Sequence, residues 1–205
     1  MTDQRTPALR NEDVSALAAL HVEAFPGFFL SQLGEAFLRE FYRAFADDPS
    51  GIAVVSRSPS GNPVGAAVGT VEPAGFYRRL LRRRFLPLAI ASAGAVVRHP
   101  STVARLVRGA TYRGGIGEDP TPPGALLSSI CTAPQARGTG IGRALLTQWE
   151  SAARSAGSVE AHLSTDAVDN EAVNNFYKRA GWTRTRGYRT REGRQMNLYT
   201  KDLQQ

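Results

Sequence analysis

The chain's clearest chemical signal is the run Thr132-Ala133-Pro134-Gln135-Ala136-Arg137-Gly138-Thr139-Gly140-Ile141-Gly142-Arg143. Three glycines at alternate positions let backbone N–H groups converge without Cβ clashes. An amphipathic helix pattern follows, and its unpaired N–H groups and positive dipole end point at the same spot. Together they form a cradle for an anion such as a pyrophosphate. The dinucleotide fingerprint fails, because Arg143 stands where its last glycine belongs. The phosphate-binding P-loop fails as well, since no Gly-Lys-Ser/Thr follows. The plain alternative is a glycine turn that only enters a helix.

A second cluster lies about 30 residues on, in Asn170-Glu171-Ala172-Val173-Asn174-Asn175-Phe176-Tyr177-Lys178-Arg179-Ala180-Gly181-Trp182. Asp169 or Asn170 can cap a short helix here, and Gly181 can stop it. Tyr177 is either a core aromatic on that helix or a hydrogen-bond donor. The other reactive types are sparse. His21, His99 and His162 are too dispersed for a zinc pattern, and Cys131 alone excludes a disulfide framework.

Taken together, the two stretches resemble the GNAT superfamily of N-acyltransferases. Arg137, Gly140 and Gly142 fall on its acyl-CoA motif (R/Q)-x-x-G-x-(G/A), and residues 170–182 resemble its N-x-x-A-x-x-(F/L)-Y-x-x-x-G-F segment. The resemblance covers 125–203 by motif, and 8–72 by element order. It implies an acetyl-CoA-dependent N-acetyltransferase without a metal, in which an amine attacks the thioester directly. It further implies that Ile130, Cys131 and Thr132 pair with the pantetheine arm and that the amides of Gly138, Thr139, Gly140, Ile141, Gly142 and Arg143 hold the pyrophosphate. Asn170 would contact the cofactor arm, and Tyr177 would stand near the thioester sulfur. A phenol can stabilise a forming thiolate by hydrogen bonding. The attacking amine needs a base, and Glu72, at the end of the strand before the insertion, is the first candidate. Glu160, His162, Asp166 and Asp119 follow, with a water relay as the alternative. Thr165 stands where some relatives carry a glutamate. The rival reading is a non-catalytic module that binds CoA or a membrane surface.

The elements that must position these residues follow from patterning. Ala8 to Arg10 reads as a short strand, and Asn11 as the cap of a helix reaching Phe25. Leu33 to Asp47 repeats apolar residues at helical spacing. Ile52 to Ser56 and Val64 to Val71 read as a hairpin around Ser58-Pro59-Ser60-Gly61-Asn62. Ala125 to Thr132 is the next strand. Ile141, Ala144, Leu145, Gln148, Trp149 and Ala152 then share one helix face, ended at Gly157. Val159 to Leu163 alternates as a strand. Trp182 to Tyr188 and Gln195 to Asp202 form the last hairpin, around Arg191-Glu192-Gly193. The expectation is a single α/β (α+β) domain over 1–205, with a mixed, mostly antiparallel central sheet flanked by helices.

The charge is uneven. Of 25 basic residues only Lys178 and Lys201 are lysines, and the formal net charge is +7. Residues 73–123 hold nine arginines against Glu118 and Asp119, so this insertion between the third and fourth expected strands carries the whole excess. It reads as helical, broken at Pro87, Pro100 and Gly114-Gly115. It would pack on the core with solvated arginines, bind an acidic acceptor such as a phosphorylated or nucleotide-linked amino sugar, or lie on an anionic membrane face. The stretch from His21 through the insertion resembles GNAT members associated with bacterial surface-polysaccharide synthesis. A protein or peptide amine is the alternative acceptor, and a homodimer is compatible with the sequence. Nucleic acid is not expected, because no nucleic-acid module accompanies the arginines. The apolar run Phe85 to Val97 has 13 residues, too short to span a bilayer. With no apolar leader in Met1 to Arg10, the expected location is cytoplasmic, or peripheral at the membrane face.

Overall fold

The computed structural model describes residues 9–26, 28–98, 122–190 and 193–204. Six strands form one sheet: β1 (Gly51–Arg57), β2 (Pro63–Thr70), β3 (Ala125–Thr132), β4 (Glu160–Asp166), β5 (Thr183–Arg189) and β6 (Gln195–Asp202), in the order β1-β2-β3-β4-β6-β5. Every pairing is antiparallel except β3 with β4.

The inner strands are buried on both faces, and their neighbouring residues enter two different cores. Val54 and Ala67 face a cluster built with Leu145, Trp149, Leu163 and Tyr199. Val55, Ala66 and Val68 face another, built with Leu17, Phe37, Leu38, Phe45 and Phe76. The first core is covered by α5 (Ile141–Ser155) and α6 (Glu171–Arg179). The second is covered by α1 (Asp13–Ala24), the short α2 (Phe29–Gln32), α3 (Glu35–Asp47) and α4 (Pro73–Arg98). Helices therefore flank a mostly antiparallel sheet on both faces. Gly69 shows how tight the first core is: a Cβ there would meet the Leu126 carbonyl oxygen at 2.2 Å and the Trp149 ring at 2.6 Å.

Three sequence readings need correction. Leu9 and Arg10 form no strand, so the insertion follows the second strand rather than the third; Ala8 lies outside the described residues. Asn11 does not cap α1. Instead Asp13 accepts the Arg10 backbone N–H at 2.8 Å and pairs with Arg57, which ties the helix start to β1. On α5 the buried residues are Leu145, Leu146, Trp149 and Ala153, whereas Ala144 and Gln148 are exposed. The break expected at Pro87 takes the form of a kink in α4. The proline ring displaces the carbonyl four residues back, and Arg84 takes the non-helical φ −125°, ψ 16°. His99, Pro100, Gly114-Gly115, Asp119 and Arg191-Glu192 lie outside the described residues.

Two arginines of the basic segment anchor α4. Arg79 donates to Asp48 at 2.7 and 2.8 Å, to Ser50 Oγ at 2.8 Å and to Glu72 at 2.9 Å. Arg84 donates to Glu40 at 2.6 Å and also pairs with Asp47. The Arg79 guanidinium holds the Asp48 carboxyl down to about 2.

Burial makes the fold acid-sensitive. His21 is 1% exposed, and loss of hydration lowers its pKa to about 4. In the unfolded chain it titrates near ~6.5, so the unfolded state takes up protons first as pH falls. Its contribution is complete above pH ~6.5 and is lost down to about 4, a loss of about 3 kcal/mol. His162, also desolvated, shifts in the same direction. The lowered carboxyls of Asp48 and Asp13 add their loss only below the usual carboxylate range. Urea midpoints measured from pH 7 to pH 4 should therefore fall well before carboxylates protonate. His21→Gln, which keeps a partner for Tyr42 without titrating, should flatten that limb. An unchanged limb would remove His21 from the account.

Candidate functional site

The site begins where β3 and β4 part. They pair only through Ala125↔Ala161 and Leu126↔His162. Beyond that point β3 follows β2 and β4 follows β6 as far as Asp166, so the sheet splits. A register shift lies at the parting: Val68 pairs with Ser129 and Gly69 with Leu127, leaving Ser128 as the extra residue. A bulge of this kind bends its strand and leaves ladder groups unpaired. The β4-facing edge of Ser129 to Thr132 thus offers backbone N–H and C=O groups to an extended ligand.

The open end of β3 runs through a 3-10 turn (Pro134–Ala136) into the glycines. Gly138 has φ +77° and Gly140 φ +88°, conformations that disfavour any side chain, and nothing lies within 4 Å of a Cβ placed at either. Gly140 is also the N-cap of α5, where a glycine supplies no capping oxygen. The first-turn amides of Ile141, Gly142 and Arg143 therefore have no intrahelical acceptor. Thr139 does not fill the gap, since its hydroxyl donates to the Ala136 carbonyl at 2.7 Å.

Packing brings this turn to the second motif. A Cβ on Gly142 would lie 3.8 Å from the Phe176 ring and 3.9 Å from Thr132 Cγ2, so the end of β3, the start of α5 and α6 converge. Arg143 donates to the Arg179 carbonyl at 2.8 Å, locking α5 to the end of α6. Arg137 reaches the other way, to the Ala24 carbonyl at 3.2 Å, and ties the turn to the end of α1. Both arginines are exposed and thus add positive charge at the rim of the turn.

Tyr177 is 5% exposed and packs against Phe176, Trp182 and Tyr199. Burial pushes its pKa up, so the phenol stays protonated at neutral pH. No hydrogen bond engages its hydroxyl among the described residues. A buried phenol without a partner leaves a donor available to a ligand.

Asn170 sits at the N-cap of α6, yet its side chain makes no cap hydrogen bond. Its amide donates to Thr165 Oγ1 at 2.8 Å and to the Asp166 carbonyl at 3.1 Å, which fixes the corner between β4 and α6.

The candidate bases do not gather there. Glu72 lies just past the end of β2: Thr70 pairs with Leu126, while Gly65 pairs with Thr132 beside the turn. β2 runs antiparallel to β3, so Glu72 sits at the far end of the sheet, roughly 20 Å along the strand. There it is 58% exposed and bonded to Arg79. Glu160 and His162 lie at the closed end of β4, beside Ala125 and Leu126. Asp166 is at the open end, but Arg194 holds it at 2.7 and 2.8 Å. Cys131 is buried, and its thiol lies 3.4 Å from the Tyr42 hydroxyl, which in turn lies 2.9 Å from His21 Nδ1. Burial pushes that thiol up, so it is no thiolate nucleophile.

Sequence reasoning missed Asn174. It accepts from Asn197 at 2.8 Å and from Tyr199 at 2.9 Å, and donates to the Asp166 carbonyl at 2.9 Å, joining α6 to β4 and β6. The available signal was its position one turn before Tyr177, on the face that must be buried, whereas Val173 is 37% exposed. Asn174→Ala strands two buried donors and should cost roughly 2–4 kcal/mol. A chemical melt that moved by less than 1 kcal/mol would show the network to be dispensable. Also unforeseen was Tyr77 of α4, whose hydroxyl lies 3.3 Å from Ser128 Oγ at the bulge. A lone tyrosine inside an arginine run gave no hint of a partner 51 residues away.

Residues 98–184 match the family model described as an acetyltransferase (GNAT) domain. No curated protein matches the chain. Among solved structures, SsHAT superposes with a TM-score of 0.64 at 19% identity, covering 95% of this chain and 96% of that one. A structure described as an acetyltransferase superposes at 0.62 with 22% identity, covering 97% and 98%. Naa20 of Chaetomium thermophilum, in complex with a bisubstrate analogue, gives 0.58 at 22%, covering 96% and 85%. These likenesses show a shared fold over nearly the whole chain.

Proposed function

We infer that this chain, whose residues 98–184 match a GNAT acetyltransferase domain model, transfers an acetyl group from acetyl-CoA to a primary amine by direct attack. One observation carries this reading: the split between β3 and β4 opens beside an uncapped glycine turn, with the Tyr177 helix packed against it. An extended, pyrophosphate-bearing ligand fits that combination. Ile130 to Thr132 would pair with its amide-rich arm as an added strand. The amides of 138–143 would hold its pyrophosphate, with Arg137 and Arg143 adding charge at the rim. Acetyl-CoA supplies an activated thioester carbonyl. Tyr177 holds its proton toward the departing sulfur, where a hydrogen bond strengthens as negative charge develops.

The acceptor must shed a proton, since an alkyl ammonium of pKa ~10 is over ~99% protonated at pH 7. Among the candidate bases, the carboxylates of Glu72 and Asp166 are engaged by Arg79 and Arg194, which favours proton removal through water. The same observation is what favours a module that binds CoA without turnover. The acceptor would come from the side of α1 to α4. A small amine, an acidic or nucleotide-linked amino sugar included, suits the charge of the basic segment; a peptide amine is the alternative. Thiol release from acetyl-CoA, followed over a panel of amino sugars, polyamines and peptides, tests this. Release above background with any acceptor supports transfer, whereas CoA binding without release anywhere on the panel would convict the non-catalytic reading.

A further inference from the structure

Helix α4 presents an unusual outer face. Phe76, Tyr77, Leu80, Leu88, Ala91 and Ser92 point into the protein. The opposite side carries Arg78, Arg82, Phe85, Leu86, Ala89 and Ile90, all exposed, with Arg83 alongside. These positions recur every three to four residues and form one stripe along the helix. Phe85 and Leu86 are 65% exposed and Ile90 is 69% exposed, where a helix facing only water would carry polar residues.

The arginines divide in two. Arg79 and Arg84, on the inner side, are neutralised by Asp48, Glu72, Glu40 and Asp47. Arg78, Arg82 and Arg83 have no ion-pair partner among the described residues. The stripe therefore joins free cations at its N-terminal end to bare apolar side chains at its C-terminal end. We propose that this face docks on an anionic lipid surface, with Phe85, Leu86 and Ile90 entering the headgroup boundary and Arg78, Arg82 and Arg83 meeting lipid phosphates.

Charge complementarity selects the occupant. Arginine stems can lie along an apolar boundary while their heads stay with the phosphates. A second copy would set like charges together, which costs stability. Among the described residues no helix is long and apolar enough to cross a membrane, so α4 would lie on the surface. This inference does not rest on acetyl transfer.

Flotation of the whole chain with phosphatidylcholine vesicles, with and without phosphatidylglycerol, tests it. Wild type should bind only the anionic vesicles and be released near ~1 M salt. R78Q/R82Q/R83Q should weaken partitioning by roughly a hundredfold. F85S/L86S/I90S should also abolish stable binding. Neither triple variant should change the melting temperature or the affinity for CoA, because all six side chains are exposed. Binding to neither vesicle, equal binding to both, or full binding by either variant would overturn the proposal. So would a stable dimer in solution that F85S/L86S/I90S dissolves.

Discussion

Tyr177→Phe should lower kcat for acetyl transfer by roughly a hundredfold while leaving CoA affinity and melting temperature nearly unchanged. The phenyl ring keeps the contacts with Phe176, Trp182 and Tyr199, so packing survives. Only the hydroxyl is lost, and it makes no hydrogen bond to described residues whose loss would destabilise the fold. Removing one preorganised donor from a developing negative charge typically costs about 3 kcal/mol of barrier, or a hundredfold or more. Because burial raises the phenol's pKa, the wild-type rate should show no loss from tyrosine ionisation near neutral pH. Loss of kcat and affinity together would recast Tyr177 as a packing residue. A kcat within threefold of wild type would remove it from the chemistry.

Gly140→Trp should weaken CoA binding by at least a hundredfold with only a small loss of stability. A side chain at φ +88° costs about 1–2 kcal/mol of backbone strain. A Cβ there meets no atom within 4 Å, so the side chain would start in open space beside the α5 amides rather than in the core. Gly157 provides a matched control. It lies just past the other end of α5, has φ +90°, and its Cβ would likewise meet nothing. Gly157→Trp should therefore cost similar stability and leave affinity intact. Equal affinities for the two variants would place the pyrophosphate elsewhere.

Local signals survived folding where local physics decided them. The glycine turn required positive φ at Gly138 and Gly140, and the structure has it at both. The β1–β2 hairpin and the stop at Gly181 likewise depend on neighbours in sequence. What the sequence hid depends on long-range direction. Glu72 looked available at the end of a strand, but strand polarity sets it at the closed end of the sheet and Arg79 holds it. Asn170 reads equally as a cap or a ligand residue, and its bonds to Thr165 and Asp166 exist only once β4 turns into α6. Asn174 broke the apolar pattern because its partners come from β6, which follows it in the chain. The split itself was invisible, because a bulge at Ser128 depends on how β2 and β3 register.

The split beside the glycine turn is the proposed acetyl-CoA site. Amide-resolved NMR during titration with acetyl-CoA tests it most directly. The largest shifts should fall on Ser129 to Thr132 and Gly138 to Arg143, with saturation at a single affinity. Shifts centred on the arginines of α4, or none in those two stretches at saturating ligand, would contradict it.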